Sequence, residues 1–210
     1  MRSERMIENN NGFSLIELIV IIAIMTVMIG LSSLSISLLV GSEAKQAADK
    51  IGAQLNEVKT GAMARYSEDF NIVYVDDPTL FDWADKEGYY AVKQMTTLGA
   101  TGSGTYMPTD VALGAEHRYL CNSRVNMVLS TDSGATVVNV STTSGIGFTF
   151  DRATGLYSGV KTGCSLTTSG AVACTSSGAG SQPDSLEITS GMRTYTIVFY
   201  SETGKHRIEH

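Results

Sequence analysis

Hydrophobic and polar positions change abruptly along the chain, and the first change comes after residue 12. Residues 1–12 are mostly polar, whereas residues 13–40 are almost entirely apolar, with Glu17 as their single charged residue. As a helix, residues 13–40 would extend about 42 Å, which exceeds the ~30 Å of hydrocarbon in a bilayer. A signal peptide has a shorter apolar core, of about 7–15 residues. The pattern therefore predicts a helix that spans a membrane once.

A helical stripe continues beyond this segment, but it is apolar on one side only. Between Ala44 and Tyr66, one stripe of apolar residues recurs at steps of three and four. The polar residues off this stripe include Lys45, Asp49, Lys50, Asn56, Glu57 and Lys59. This period is typical of an amphipathic helix whose apolar face packs on a domain. We predict one long helix over residues 13–66, with residues 43–67 as the amphipathic half.

The rest of the chain, residues 68–210, has the pattern of β-strands. Six short runs are rich in β-branched and aromatic residues, and these runs are 71–75, 124–129, 135–140, 146–150, 156–160 and 193–200. Asp77 and Pro78 predict a short helix over residues 77–87. Residues 96–109 and 160–182 are rich in Thr, Ser and Gly, and we predict surface loops there. A helix laid on an antiparallel sheet gives an α+β fold class.

Composition and charge exclude several functions. The net charge is −6, and no block of Lys and Arg is long enough to follow a phosphate backbone. Nucleic-acid binding is disfavoured, although a DNA-uptake role through a local basic face stays open. The acidic residues between Glu68 and Glu87 lack the spacing of a calcium loop, and His117, His206 and His210 are far apart, the last two in a predicted exposed tail. No catalytic motif is present, so we expect no enzyme, no cofactor and no metal.

Three cysteines are too few for a disulfide scaffold. Cys164 and Cys174 lie symmetrically about Ser169, as a hairpin with its loop at residues 168–170 would place them. We predict a disulfide between them and leave Cys121 free, with a bridge from Cys121 to either of the others as the alternative. Such a bridge persists outside the cytoplasm.

The residues around the start of the apolar segment resemble a known processing site. Gly12-Phe13-Ser14-Leu15-Ile16-Glu17-Leu18 is similar to the cleavage site of type IV prepilins and type II secretion prepseudopilins. The resemblance implies that a prepilin peptidase cleaves after Gly12 and methylates the new N-terminus at Phe13. It also implies a leader of residues 1–12, or a shorter one if Met6 is the start, and a helix over residues 13–42 that serves as membrane span and then as filament core. A buried carboxylate needs a partner, and the family pairs it with the amine of a neighbouring subunit, so Glu17 is the expected assembly residue.

Further resemblances narrow the family. Three parts of the chain are similar to the H-type minor pseudopilins and FimT-type minor pilins. These parts are residues 54–65 with 71–75, residues 146–155 and residues 196–205. They imply the type IV pilin fold and a minor subunit of a pilus or pseudopilus, anchored in the inner membrane before assembly with its C-terminal domain outside the cytoplasm. The implied partners are other pilin subunits, the peptidase and the inner-membrane assembly platform. The alternatives are a major pilin and an anchored adhesin or sensor domain that never assembles.

Overall fold

A computed structural model describes residues 14–64, 67–96, 115–141, 143–176 and 181–209, without the side chains of residues 31–40, 67, 68, 95 and 96. The chain divides into two units, Met1–Leu39 and Val40–His210. Helix α1 covers Leu15–Ala64. The predicted helix over residues 13–66 is confirmed from residue 15 to residue 64. Ser14 precedes the first helical residue, and residues 13, 65 and 66 lie outside the described part.

In the second unit, α1 buries one stripe of mostly small side chains. Each of these side chains is at most 1% exposed, and they are Ala44, Ala47, Ala48, Ile51, Leu55, Val58 and Ala62. Steps of three and four place them on one face of the helix. Small residues allow the helix backbone to come close to the strands that cover it. The apolar stripe of the predicted amphipathic half is therefore buried, whereas Ser67, the last residue predicted for that half, is the first residue of a β-strand.

Two antiparallel sheets surround this stripe. The six-stranded sheet has the order β3-β2-β1-β6-β7-β8, and its strands in chain order are β1 Ser67–Val75, β2 Gly88–Thr96, β3 Ala115–Cys121, β6 Gly145–Phe150, β7 Tyr157–Leu166 and β8 Val172–Ser176. The five-stranded sheet has the order β11-β10-β9-β4-β5, with β4 Asn126–Thr131, β5 Thr136–Asn139, β9 Pro183–Ser190, β10 Arg193–Tyr200 and β11 Lys205–Glu209. The α+β class is confirmed, but the expectation of one sheet is wrong.

The main core joins the helix stripe to both sheets. Phe70, Ile72 and Phe148 come from the six-stranded sheet, and Leu129 and Ile188 come from the five-stranded sheet. A second apolar cluster lies on the other face of the six-stranded sheet and contains Val73, Val75, Ala84, Tyr90, Val92 and Cys164. Successive strand residues point to opposite faces, so Ile72 belongs to the first cluster and Val73 to the second. The six-stranded sheet is thus covered on both faces.

Contacts with α1 occur at the start of strand β10 and in the turn that follows its end. At the start of β10, the Cγ, Cδ and Nε atoms of Arg193 lie 2.5–3.2 Å from the place where a Cβ on Gly41 would be. Beyond the end of β10, the Lys59 Nζ donates to the carbonyl oxygen of Gly204 at 2.8 Å. The two helix positions, 41 and 59, differ by 18 residues, which is about 27 Å of rise. A larger residue at position 41 would force the Arg193 side chain to move from its present place.

Three further expectations need correction. The predicted loop over residues 160–182 is mostly a hairpin of β7 and β8, because its Thr, Ser and Val residues pair as strands. The predicted helix over residues 77–87 is only a 3-10 turn, Pro78–Leu80, although Asp77 caps it as expected. The tail that carries His206 is strand β11, and His206 is half-buried against Gly52. His210, and the predicted loop from residue 97 to 109, lie outside the described residues.

Candidate functional site

The first unit is exposed along the part of the helix whose side chains the structure describes. Its large apolar side chains from Leu15 to Ile29 are between 43% and 79% exposed, and they surround the whole helix. A helix that is hydrophobic on all sides is stable only where a bilayer or other helices enclose it. Among the side chains that the structure describes, no helix offers a window both long and apolar enough to cross a membrane.

Glu17 is the one acidic residue in this surface. It lies in the first turn of α1 and is exposed. The helix begins at this point because the carbonyl oxygen of Ser14 accepts a hydrogen bond from the Leu18 N at 3.2 Å. A carboxylate in the first turn interacts favourably with the positive end of the helix dipole. Gly12 and Phe13, the predicted cleavage and methylation residues, lie outside the described residues.

The predicted disulfide is present. Cys164 on β7 and Cys174 on β8 are directly opposite each other and are joined, while Cys121 is free and buried. Cys164 is 1% exposed and belongs to the second apolar cluster. Burial raises the pKa of the Cys121 thiol to about 12, so this thiol stays protonated and unreactive at neutral pH.

The tip of the β7–β8 hairpin rests on an aromatic group that sequence reasoning missed. The rings of Trp83 and His117 stack with centroids 3.7 Å apart, and Tyr90 meets Trp83 edge-on at 5.3 Å. The His117 Nε2 lies 2.8 Å from the carbonyl oxygen of Gly170 at the hairpin tip. Burial lowers the pKa of His117, so the ring is neutral at pH 7 and Nε2 is the donor. The contact joins positions 53 residues apart, which no local pattern indicates.

The acidic residues that follow β1 accept hydrogen bonds from residues near them in the fold. The Asp77 Oδ1 accepts from the Thr79 hydroxyl at 2.5 Å and from the Thr79 N at 3.0 Å, and these two hydrogen bonds hold the Asp77 pKa below its usual range. The Tyr74 hydroxyl donates to Glu87. Across the described ranges, no group of three His, Cys, Asp or Glu residues is placed to hold a metal ion.

Comparison with known proteins identifies one part of the chain. Residues 8–33 match the family described as the prokaryotic N-terminal methylation motif. No curated protein and no solved structure matches the chain. The matched segment contains the Gly12–Leu18 site and most of the exposed apolar surface, and its motif implies processing by a prepilin peptidase and assembly with other pilin subunits. The motif supports a structural subunit of the type IV pilin or pseudopilin kind.

Proposed function

We propose that the chain is a minor pilin or pseudopilin that enters, or initiates, a type IV pilus or a type II secretion pseudopilus. The observation that carries the proposal is the contrast between the two halves of α1. The first half bears the methylation motif and exposes its apolar side chains on every side, whereas the second half buries its apolar stripe in a folded domain. A helix of this kind can pass from lipid into a bundle of identical helices without leaving an apolar surface in water.

Processing is the first step of the proposed pathway. The peptidase removes residues 1–12 and methylates Phe13, because the small Gly12 leaves room in its pocket. Residues 13–42 then form the membrane span. The domain of residues 43–210 lies outside the cytoplasm, where the Cys164–Cys174 bridge would persist.

Glu17 supplies the assembly step. Within the apolar layer its carboxylate is costly without a partner, on the order of 2.5–3.5 kcal/mol on insertion scales. The amine of Phe13, from its own or a neighbouring subunit, removes this cost and fixes the axial register between helices. The assembly platform of the inner membrane would deliver such subunits to the filament.

The minor-subunit assignment rests on the resemblance to the H-type and FimT-type chains. Residues 146–155 occupy β6 with the turn after it, and residues 196–205 occupy most of β10 with its turn, as a strand-and-turn motif requires. The first alternative is a major pilin, which would be abundant in sheared filaments. The second is an anchored adhesin or sensor domain, which would keep its leader and stay in membrane fractions.

The experiment that tests the proposal is cleavage scored by intact mass. Gly12→Leu should retain a precursor about 1.4 kDa heavier than mature wild type, which is roughly the summed mass of residues 1–12. The matched control is Gly30→Leu, which makes the same change in the same apolar segment, where a Cβ meets nothing within 4 Å. This control should be cleaved normally. A wild-type chain that keeps its leader beside an active peptidase would refute the proposal.

A further inference from the structure

We propose that the turn between β9 and β10 contacts the outer surface of the lipid bilayer, with Met192 inside the interfacial layer. The inference rests on the proposed membrane span of residues 13–42. The proposed lipid contact belongs to the folded domain and is separate from the membrane span.

The turn contains an apolar side chain, Met192, that is not part of the core of the domain. Ser190 pairs with Arg193, so Gly191 and Met192 form a two-residue hairpin turn, with Gly191 at φ +61°. Such a turn requires glycine at its first central position and accepts polar residues at the second. Met192 nevertheless occupies that position and is 94% exposed, more than any other large apolar side chain of the described residues. It therefore gains no burial within the domain.

The position of the turn points to what covers Met192. Arg193, the next residue, lays its side-chain stem on Gly41. Gly41 follows residue 40, the last of the apolar run, by one peptide bond. The run of residues 13–40 extends about 42 Å as a helix, and a bilayer measures about 40–45 Å with its interfacial regions included. Gly41, and the turn beside it, therefore lie at the level of the outer headgroups.

Charge at this end of the domain does not select a particular lipid. The β3–β4 turn is held there by a hydrogen bond from the Asn122 Nδ2 to the Glu43 Oε1 at 2.9 Å, and it carries the exposed Arg124. Asp76 and Asp77 follow β1 at the same end of the sheet as this turn, because Val75 pairs with Gly88 and Tyr89 pairs with Cys121. The negative charges of these two acids offset the positive charges of Arg124 and Arg193. The apolar side chain of Met192 makes the contact, so zwitterionic lipid is sufficient.

The test places one environment-sensitive label on the full chain in phosphatidylcholine vesicles. Met192→Cys is labelled with the nitrobenzoxadiazole fluorophore, since Cys121 is buried and Cys164 is bonded to Cys174. The matched control is Glu202→Cys, which is exposed in the turn at the other end of β10, a strand about 23 Å long. With lipid that carries a doxyl quencher near the headgroup, the label at position 192 should lose most of its emission and the label at 202 should keep it.

A third label separates failure of this inference from failure of the proposed function. Thr26→Cys lies inside the apolar segment, and a deep doxyl quencher should quench it if the segment spans the bilayer. Quenching at 26 without quenching at 192 would overturn the lipid contact and leave the span intact, whereas no quenching at 26 would overturn both. If the label at 192 becomes protected only in assembled filaments, its partner is a second copy of the chain and the lipid contact is wrong.

Discussion

Reduction of the Cys164–Cys174 bridge should destabilise the domain without unfolding it. The two cysteines are 10 residues apart in sequence. In the chain-entropy account, a closed loop of that length lowers the free energy of the folded state, relative to the unfolded one, by about 2.7 kcal/mol at most. For a chain of this size, ~1 kcal/mol shifts the Tm by about 2–4 °C, so reduction should lower the Tm by up to ~5–11 °C. Domain stabilities are about 5–15 kcal/mol, so the reduced domain should stay folded at room temperature.

The single tryptophan of the chain makes this change measurable. Trp83 stacks on His117, and His117 bonds the carbonyl oxygen of Gly170 at the tip of the bridged hairpin. Thermal unfolding of the full chain in detergent, followed by Trp83 emission, should show a lower midpoint after reductant is added. Cys164→Ala combined with Cys174→Ala is the control, and its midpoint should not respond to reductant. Equal midpoints for oxidised and reduced wild type, or peptide mapping that joins Cys121 to either partner, would refute the reasoning.

The remaining predictions concern three side chains. Glu17→Leu should be cleaved normally but enter sheared filaments poorly, and Glu17→Asp should be intermediate; wild-type amounts of Glu17→Leu by immunogold would reject the register role. Leu55→Ala, at 0% exposed, should cost about 2–5 kcal/mol in denaturant unfolding, whereas Met63→Ala, 44% exposed on the same helix, should cost far less. Because burial lowers the pKa of His117 from 6.5, stability should fall as the pH drops below about 6.5. In unfolding at several pH values, His117→Gln should weaken that dependence and leave the part that His206 contributes through its own lowered pKa.

The strands that sequence reasoning missed are mainly those at sheet edges. β3 and β11 begin the two sheet orders, and both alternate exposed charged residues with partly buried ones, as in Glu116, His117 and Arg118. Charged edge strands resist pairing with other chains, and they therefore lack the apolar signal by which a strand is recognised. Strand β10 sits inside its sheet, between β9 and β11, and its predicted bounds, residues 193–200, are confirmed.

The division into two sheets depends on partners that are distant in sequence. β4 pairs with β5 by a short turn, but it also pairs with β9, as in Met127 with Ile188. A period of two tells which face of a strand is buried and does not tell which strand lies beside it. The motif around Gly12 and the cysteine pair each lie within a short stretch of sequence, so both could be recognised from the sequence alone. Two other contacts join residues that are far apart in sequence, and a local pattern cannot indicate them. These are the contact of Arg193 with Gly41 and the stacking of Trp83 on His117.

The burial of the α1 stripe by both sheets has a consequence for the time course of synthesis. The helix ends at Ala64, so 146 of the 210 residues are made after it. At about 5–20 residues per second, that takes ~7–30 s. β10 and β11, which lie in the last 18 residues, complete the five-stranded sheet over the stripe. Thus the first part of the domain to be made is among the last to be covered, and a chain that stops before Arg193 leaves residues such as Ile51 and Leu55 open to chaperones and proteases.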